Sequence, residues 1–210
     1  MTMRPLAALV HPSRSAVLIV DVQPLFTEDP DPPTQQALQV LKRFLDAARA
    51  AHVLRVFVRF VRAADPDERW STLWEEQCGA DFIDLTSPES PAAAFLRGFE
   101  PEDGDLVVTK DRYSAFRGPD LTNQLHNRGI ETVIVAGFST DVCVSSTARD
   151  AFQLDFSTVT LSDCCAASSD AAHDAALETL ARRFGRVCTA DEVVAAWQSK
   201  LAPLVVVAEE

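Results

Sequence analysis

The stretch Ala16-Val-Leu-Ile-Val-Asp-Val22 is a continuous apolar run interrupted only by one carboxylate near its end, and Gln23-Pro24 follow it. It shows no polar alternation, so it reads as a strand covered on both faces, the kind found inside a parallel sheet. Working outward, the same signature returns. Val53 to Val61 is a second strand, Asp105 to Lys110 a third, Thr132-Val-Ile-Val-Ala-Gly137 a fourth, Thr158 to Leu161 a fifth and Arg186 to Thr189 a short sixth. Helical patterns lie between them. Thr34 to His52 places apolar residues at Ala37, Leu38, Leu41, Leu45 and Ala48, with Thr34 as its N-cap candidate. Leu121 to Arg128 is stopped by Gly129, and Cys143 to Leu154 follows the cap candidates Ser139, Thr140 and Asp141. Asp170 to Phe184 runs to Gly185, and Ala190 to Gln198 closes the pattern. Strands alternating with helices predict an α/β fold, a three-layer α/β/α sandwich around a six-stranded, mainly parallel sheet. One domain is expected over residues 1–210, with its core at about 15–198 and an apolar tail at 199–210. Asp65 to Pro91, with Pro66, Gly79, Pro88, Trp70 and Trp74, is the longest irregular stretch and reads as a lid or binding loop.

The composition narrows the function classes. The formal net charge of -12 argues against a duplex-binding surface, which needs clustered Lys and Arg, and against docking on anionic lipid. No apolar run approaches the roughly 20 residues that span a bilayer, and residues 1–14 lack the apolar region of a signal peptide. Five cysteines, an odd number without CxxC spacing, fit free thiols in a reducing cytoplasm. The expected partner is a small molecule, not a nucleic acid or a membrane.

In open α/β sheets the ligand sits beyond the carboxyl ends of the strands. Three chemically capable residues fall at such ends: Asp21, Lys110 and, just past the fourth strand, Cys143. A thiol is a weak nucleophile near neutral pH and needs a base, a cation or a helix N-terminus beside it. Asp21 could carry the proton and Lys110 could supply the cation. Taken singly, each has an ordinary structural reading as core filler, turn residue or surface charge. No GxGxxG follows the first strand and no P-loop is present, which removes the nucleotide-binding reading of the same fold.

Three segments carry a resemblance. Leu18-Ile-Val-Asp-Val-Gln23 is similar to the first-strand motif of the isochorismatase-like hydrolases. Lys110-Asp-Arg-Tyr-Ser-Ala-Phe116 resembles that family's Lys-x-x-x-Ser-Ala-Phe motif, and Gly137-Phe-Ser-Thr-Asp-Val-Cys-Val144 resembles its nucleophile loop. Order and spacing agree, over about residues 15–197. The resemblance implies a Rossmann-like six-stranded sheet and a triad of Asp21, Lys110 and Cys143. It also implies a cis peptide between Phe138 and Ser139, and an oxyanion hole from the backbone N–H groups of Ser139 and Cys143. Thr140 and Asp141 would hold the loop or simply cap the helix. No cofactor is implied, and a homodimer or homotetramer is.

The resemblance also narrows the substrate. Nicotinamidases of this family hold a metal through histidines after the second strand. Here the region reads Arg59-Phe-Val-Arg62-Ala-Ala-Asp65, and no His occurs between it and His126. Isochorismatases proper cleave a vinyl ether and carry another residue at the position of Cys143, so the cysteine favours cleavage of an amide or N-carbamoyl (ureido) C–N bond. A vinyl-ether hydrolase and a catalytically idle binding protein remain the alternatives. Phe26, Trp74, Tyr113, Phe116 and Phe138 are candidates for the substrate-pocket wall. Arg112, with Arg59, Arg62 and Arg117, is a candidate for holding a substrate carboxylate through bidentate geometry. Asp163 reads as structural, and Cys164, Cys165 and Cys188 as buried filler.

Overall fold

The computed structural model describes residues 4–62, 69–79, 81–118 and 120–201. Asp65 and Pro66, the side chain of Trp70 and residues 202–210 of the tail lie outside that description. In chain order the strands are β1 (Ser15–Val20), β2 (Leu54–Phe60), β3 (Leu106–Lys110), β4 (Thr132–Phe138), β5 (Ser157–Ala166) and β6 (Arg186–Cys188). The helices are α1 (Leu6–Leu9), α2 (Pro24–Thr27), α3 (Pro32–Ala50), α4 (Arg69–Cys78), α5 (Asp81–Leu85), α6 (Leu121–His126), α7 (Ser145–Gln153), α8 (Asp170–Arg183) and α9 (Ala190–Leu201).

All six strands are parallel, in the order β3-β2-β1-β4-β5-β6. Every residue of β1 and β4 is buried. That is why their sequences show unbroken apolar runs: side chains alternate between two faces, and both faces are covered. Val17 and Ile19 of β1 join one core with Leu41, Phe44 and Leu45 of α3 and Trp197 of α9. Ala16, Leu18 and Val20 join the other with Leu121 and Leu125 of α6 and Ala148 and Ala151 of α7. Each such buried Leu or Phe contributes about 1.5–3 kcal/mol.

Several boundaries differ from the sequence expectation, each for a local reason. The cap of α3 is Asp31, whose carboxylate accepts the Thr34 N–H, so Thr34 is the capped residue and not the cap. β5 extends to Ala166 past a register shift opposite Val135 and Gly137. The stretch expected to be irregular contains α4 and α5; their predominantly polar surface and the Gly79 break hide the helical period. Among the described residues no helix is long and apolar enough to cross a membrane.

The chain runs from β1 outward through β2 and β3, then returns to the other side of β1 as β4. Strand order therefore reverses between β1 and β4, and the crevice beyond their carboxyl ends is the ligand position of such sheets. Gly137 fixes the width of this seam. Its φ is +122°, and a Cβ there would lie 2.0 Å from the Val20 carbonyl oxygen, so only glycine fits.

Candidate active site

Asp21 leaves β1 in a left-handed conformation, φ 53°, which Asp tolerates better than most residues. Its N–H bonds the Val58 carbonyl, which turns the fully buried carboxylate into the crevice. Lys110 ends β3, in register with Phe60 of β2. It stands two strands from β1, about 10 Å across the sheet, so a long side chain is needed to reach Asp21. The aliphatic stem and ammonium pass over Phe60, with Nζ 4.9 Å from the ring centroid. All three Nζ donors are used: to Asp21 Oδ2 at 2.6 Å, to the Arg112 carbonyl at 3.1 Å and to Cys143 Sγ at 3.6 Å. Asp21 Oδ1 is buried and makes no hydrogen bond.

The third member comes from β4. The Phe138–Ser139 peptide is cis. Residues Thr140–Val144 then form a single π-helical turn leading into α7, with Cys143 buried in it. The expected side-chain caps are not made. Ser139 Oγ instead donates to Asp141 Oδ1 at 2.8 Å, and Thr140 Oγ1 pairs with His173 Nδ1 of α8 at 2.8 Å. The Thr147 hydroxyl of α7 accepts the Ala115 N–H at 3.0 Å, which ties the segment after Lys110 to the helix that follows Cys143. Gln23 performs the same stitching on the other side. Its side chain donates to the Phe60 and Ala93 carbonyls and accepts the Phe60 N–H, all within 3.0 Å. Gln23, Thr147 and His173 tie the segments around the cleft together, and the sequence alone does not single them out for this. Gln23 alone had a signal, its place in the first-strand motif; the others depend on partners more than 30 residues away.

Burial dominates the electrostatics. It pushes the Asp21 carboxyl up, and the Lys110 ammonium only partly offsets this. Burial also pushes the Cys143 thiol far up; the Asp21 charge adds to this and Lys110 opposes it. The sulfur therefore holds its proton more tightly than a free thiol does, beside a carboxyl group whose own proton affinity is raised.

A cavity of about 220 Å³ lies over Cys143. Its walls are Phe26, Phe60, Phe82, Tyr113, Phe138 and Val142, with Cys78, Ser139 and Cys143 completing the lining. The structure thus brings Asp21, Lys110 and Cys143 together, and sets Phe26, Tyr113, Phe138 and Ser139 around the opening. Two wall candidates are corrected. Trp74 stands behind the wall, packed on Phe60 at 4.9 Å and donating its indole N–H to the Tyr113 hydroxyl at 3.3 Å. Phe116 faces away and stacks on Phe156 at 5.7 Å, because the 3₁₀ turn after Ser114 rotates it toward the core. The arginines are corrected too, since none lines the cavity. Arg59 donates to Thr109, Arg62 lies 4.3 Å over Trp74, Arg112 is held by Asp111, and Arg117 is exposed. Asp163 caps α9 by accepting the Ala190 N–H. Cys164, Cys165 and Cys188 are buried and all five cysteines are free. Among the described residues no group of three or more His, Cys, Asp or Glu could hold a metal ion.

Comparison with known proteins agrees with this architecture. Residues 15–192 match the isochorismatase domain. The ureidoacrylate amidohydrolase RutB of Variovorax paradoxus is 30% identical, over 91% of this chain and 84% of that protein. The isochorismatase family protein YwoC of Bacillus subtilis is 41% identical over 108 residues, which are 50% of this chain and 57% of YwoC. A cysteine hydrolase from Pseudomonas syringae pv. phaseolicola superposes with a TM-score of 0.84 at 29% identity, covering 91% of this chain and 95% of that one. With its six parallel strands, its crevice between β1 and β4, and a domain match over most of its length, this chain belongs to the isochorismatase family of α/β hydrolases.

Proposed function

We propose that the protein cleaves the C–N bond of a small amide or ureido compound through a thioester on Cys143. The observation that carries this reading is the Lys110 ammonium, 2.6 Å from a buried carboxylate and 3.6 Å from a buried sulfur at the floor of a small cavity. The ureidoacrylate amidohydrolase relative supports the same bond type.

The Cys143 proton passes to Asp21, whose unbonded Oδ1 has room for it. The sulfur attacks the carbonyl carbon, and the carbonyl electron pair moves to oxygen. Backbone N–H groups of Ser139 and Cys143 hold that oxyanion; one such donor is worth about 100-fold or more in rate. When the C–N bond breaks, Asp21 returns the proton to nitrogen and the amine or ammonia leaves. Water then attacks the thioester, gives its proton to Asp21, and the sulfur departs and is reprotonated. Lys110 offsets whichever anion, carboxylate or thiolate, is present at each stage.

Incubation with a small amide or ureide, followed by rapid acid quench, should leave an acyl mass on the Cys143 peptide. Cys143→Ala should lower turnover by about 10⁴-fold. Full turnover in that variant, with loss in Asp21→Asn, would replace the thioester scheme with direct attack by water.

A further inference from the structure

The cavity over Cys143 says more about the acyl group than the triad does. Four phenylalanine rings, the tyrosine ring and Val142 supply nearly all of its wall. Its polar groups are few. Tyr113 Oη accepts the Trp74 indole N–H and keeps its O–H as a neutral donor, and Ser139 Oγ donates to Asp141. Among the described residues lining it there is no Lys, Arg or His. Lys110 lies beneath, with its donors directed to Asp21, the Arg112 carbonyl and the sulfur. A carboxylate placed among these rings would lose its hydration without gaining a charged partner, which is unfavourable.

A second observation points the same way. A neighbouring cavity of about 340 Å³ shares Phe26, Phe138 and Ser139 with the first, and Asp29 and Asp31 lie in its wall. Asp141, bonded to Ser139, adds a third carboxyl beside the same residues. Hydrogen bonds from Thr34 hold Asp31 below the usual carboxyl range, so it is anionic at neutral pH. The neighbouring cavity is therefore edged by acids, whereas rings wall the cavity over Cys143. Size sets the last limit: an apolar space of about 150 Å³ accepts a benzene molecule, so about 220 Å³ holds one ring or a short branched chain.

From these features we infer that the substrate is a neutral amide whose acyl group is a single ring or a short branched hydrocarbon, and that carboxylate-bearing amides are disfavoured. This rests on the cysteine-hydrolase reading for its chemistry, though not for its binding. It separates this chain from its ureidoacrylate amidohydrolase relative, whose named substrate is a carboxylate.

The experiment has two arms. In the first, Cys143→Ala is titrated by calorimetry with benzamide and isobutyramide, and with maleamate and N-carbamoylglycine as anionic probes. The neutral amides should bind at least about tenfold more tightly, and Phe26→Arg, which places a cation at the mouth, should narrow that ratio by about tenfold. Equal or tighter binding of the anions, or a ratio that Phe26→Arg leaves unchanged, overturns the inference. In the second arm, wild-type enzyme is quenched with each amide and Cys143 examined by mass spectrometry. Acylation by the neutral amides supports both readings. Acylation by the anions alone overturns the acyl-group assignment and leaves the thioester chemistry standing. Selective binding of neutral amides without acylation keeps the pocket assignment and removes the thioester.

Discussion

The two sides of the cleft are built differently. The floor hangs from the ends of β1, β3 and β4; every residue of β1 and β4 is buried, and their seam tolerates only glycine at 137. The facing wall comes from α4 and α5, short helices that contribute Cys78 and Phe82 and place Trp74 behind them. Reacting groups need fixed positions, and strand ends supply them; a wall that selects among acyl groups needs shape more than charge. A change in the floor should therefore cost chemistry and folding together, whereas a change in the wall should cost recognition.

Lys110→Met tests the floor and should have the largest effect. It leaves the Asp21 carboxylate buried without its ion pair, which costs about 3–5 kcal/mol of stability in a urea titration. Turnover should fall about 10³-fold. The loss should also depend on pH. Burial already raises the Asp21 carboxyl, and without Lys110 only the contact with the Cys143 thiol opposes it. The folded state then binds the Asp21 proton more tightly than the unfolded state does. Stability accordingly declines as pH rises from the ordinary carboxyl range through the raised value, and recovers on acidification through that window. Asp21→Asn/Lys110→Met should lack this dependence. A single variant as stable as wild type at pH 8 would mean that the pair is solvated and the floor is not the rigid half.

Phe82→Ala tests the wall and should have a moderate effect. Phe82 packs on Trp74 at 5.8 Å and on Phe60 at 6.1 Å, and it faces the cavity. Its loss should raise KM for a ring-sized amide about tenfold with kcat within about threefold. A kcat loss as large as that of Lys110→Met would erase the distinction between floor and wall.

The same division governs what the sequence could reveal. A strand covered on both faces must be apolar throughout, so β1 and β4 and the residues at their ends, Asp21 and Cys143, were readable. Lys110 was readable because it too closes a strand. The wall was not. α4 and α5 are short and bury only one side, and charged residues such as Glu75, Glu76, Asp81 and Asp84 fill the rest, so neither helical period nor apolar run stands out. Side-chain direction was equally hidden. Tyr113 and Phe116 share one motif, yet a 3₁₀ turn sends one to the cavity and the other to Phe156. The arginines show that charge in a sequence names a capacity and not a direction: Arg62 and Arg112 lie close in the chain to the site and spend their guanidinium groups on Trp74 and Asp111.

The finest test of the comparison uses its two thiols, one in each half. Cys78, at the end of α4, is exposed, whereas Cys143 is 7% exposed and its thiol is pushed far up by burial and by Asp21. Alkylation requires thiolate and access, so iodoacetamide at pH 7.5 should modify Cys78 first. Because Cys78 lines the same cavity, activity should fall in step with that modification, and Cys78→Ser should slow inactivation by about tenfold. Peptide mass spectrometry along the inactivation course separates the two sites. Prior labelling of Cys143 would mean that its thiolate stands ready in the resting protein. The proton would then already have left the sulfur, Lys110 would outweigh burial, and Asp21 would enter the cycle only when the amine departs.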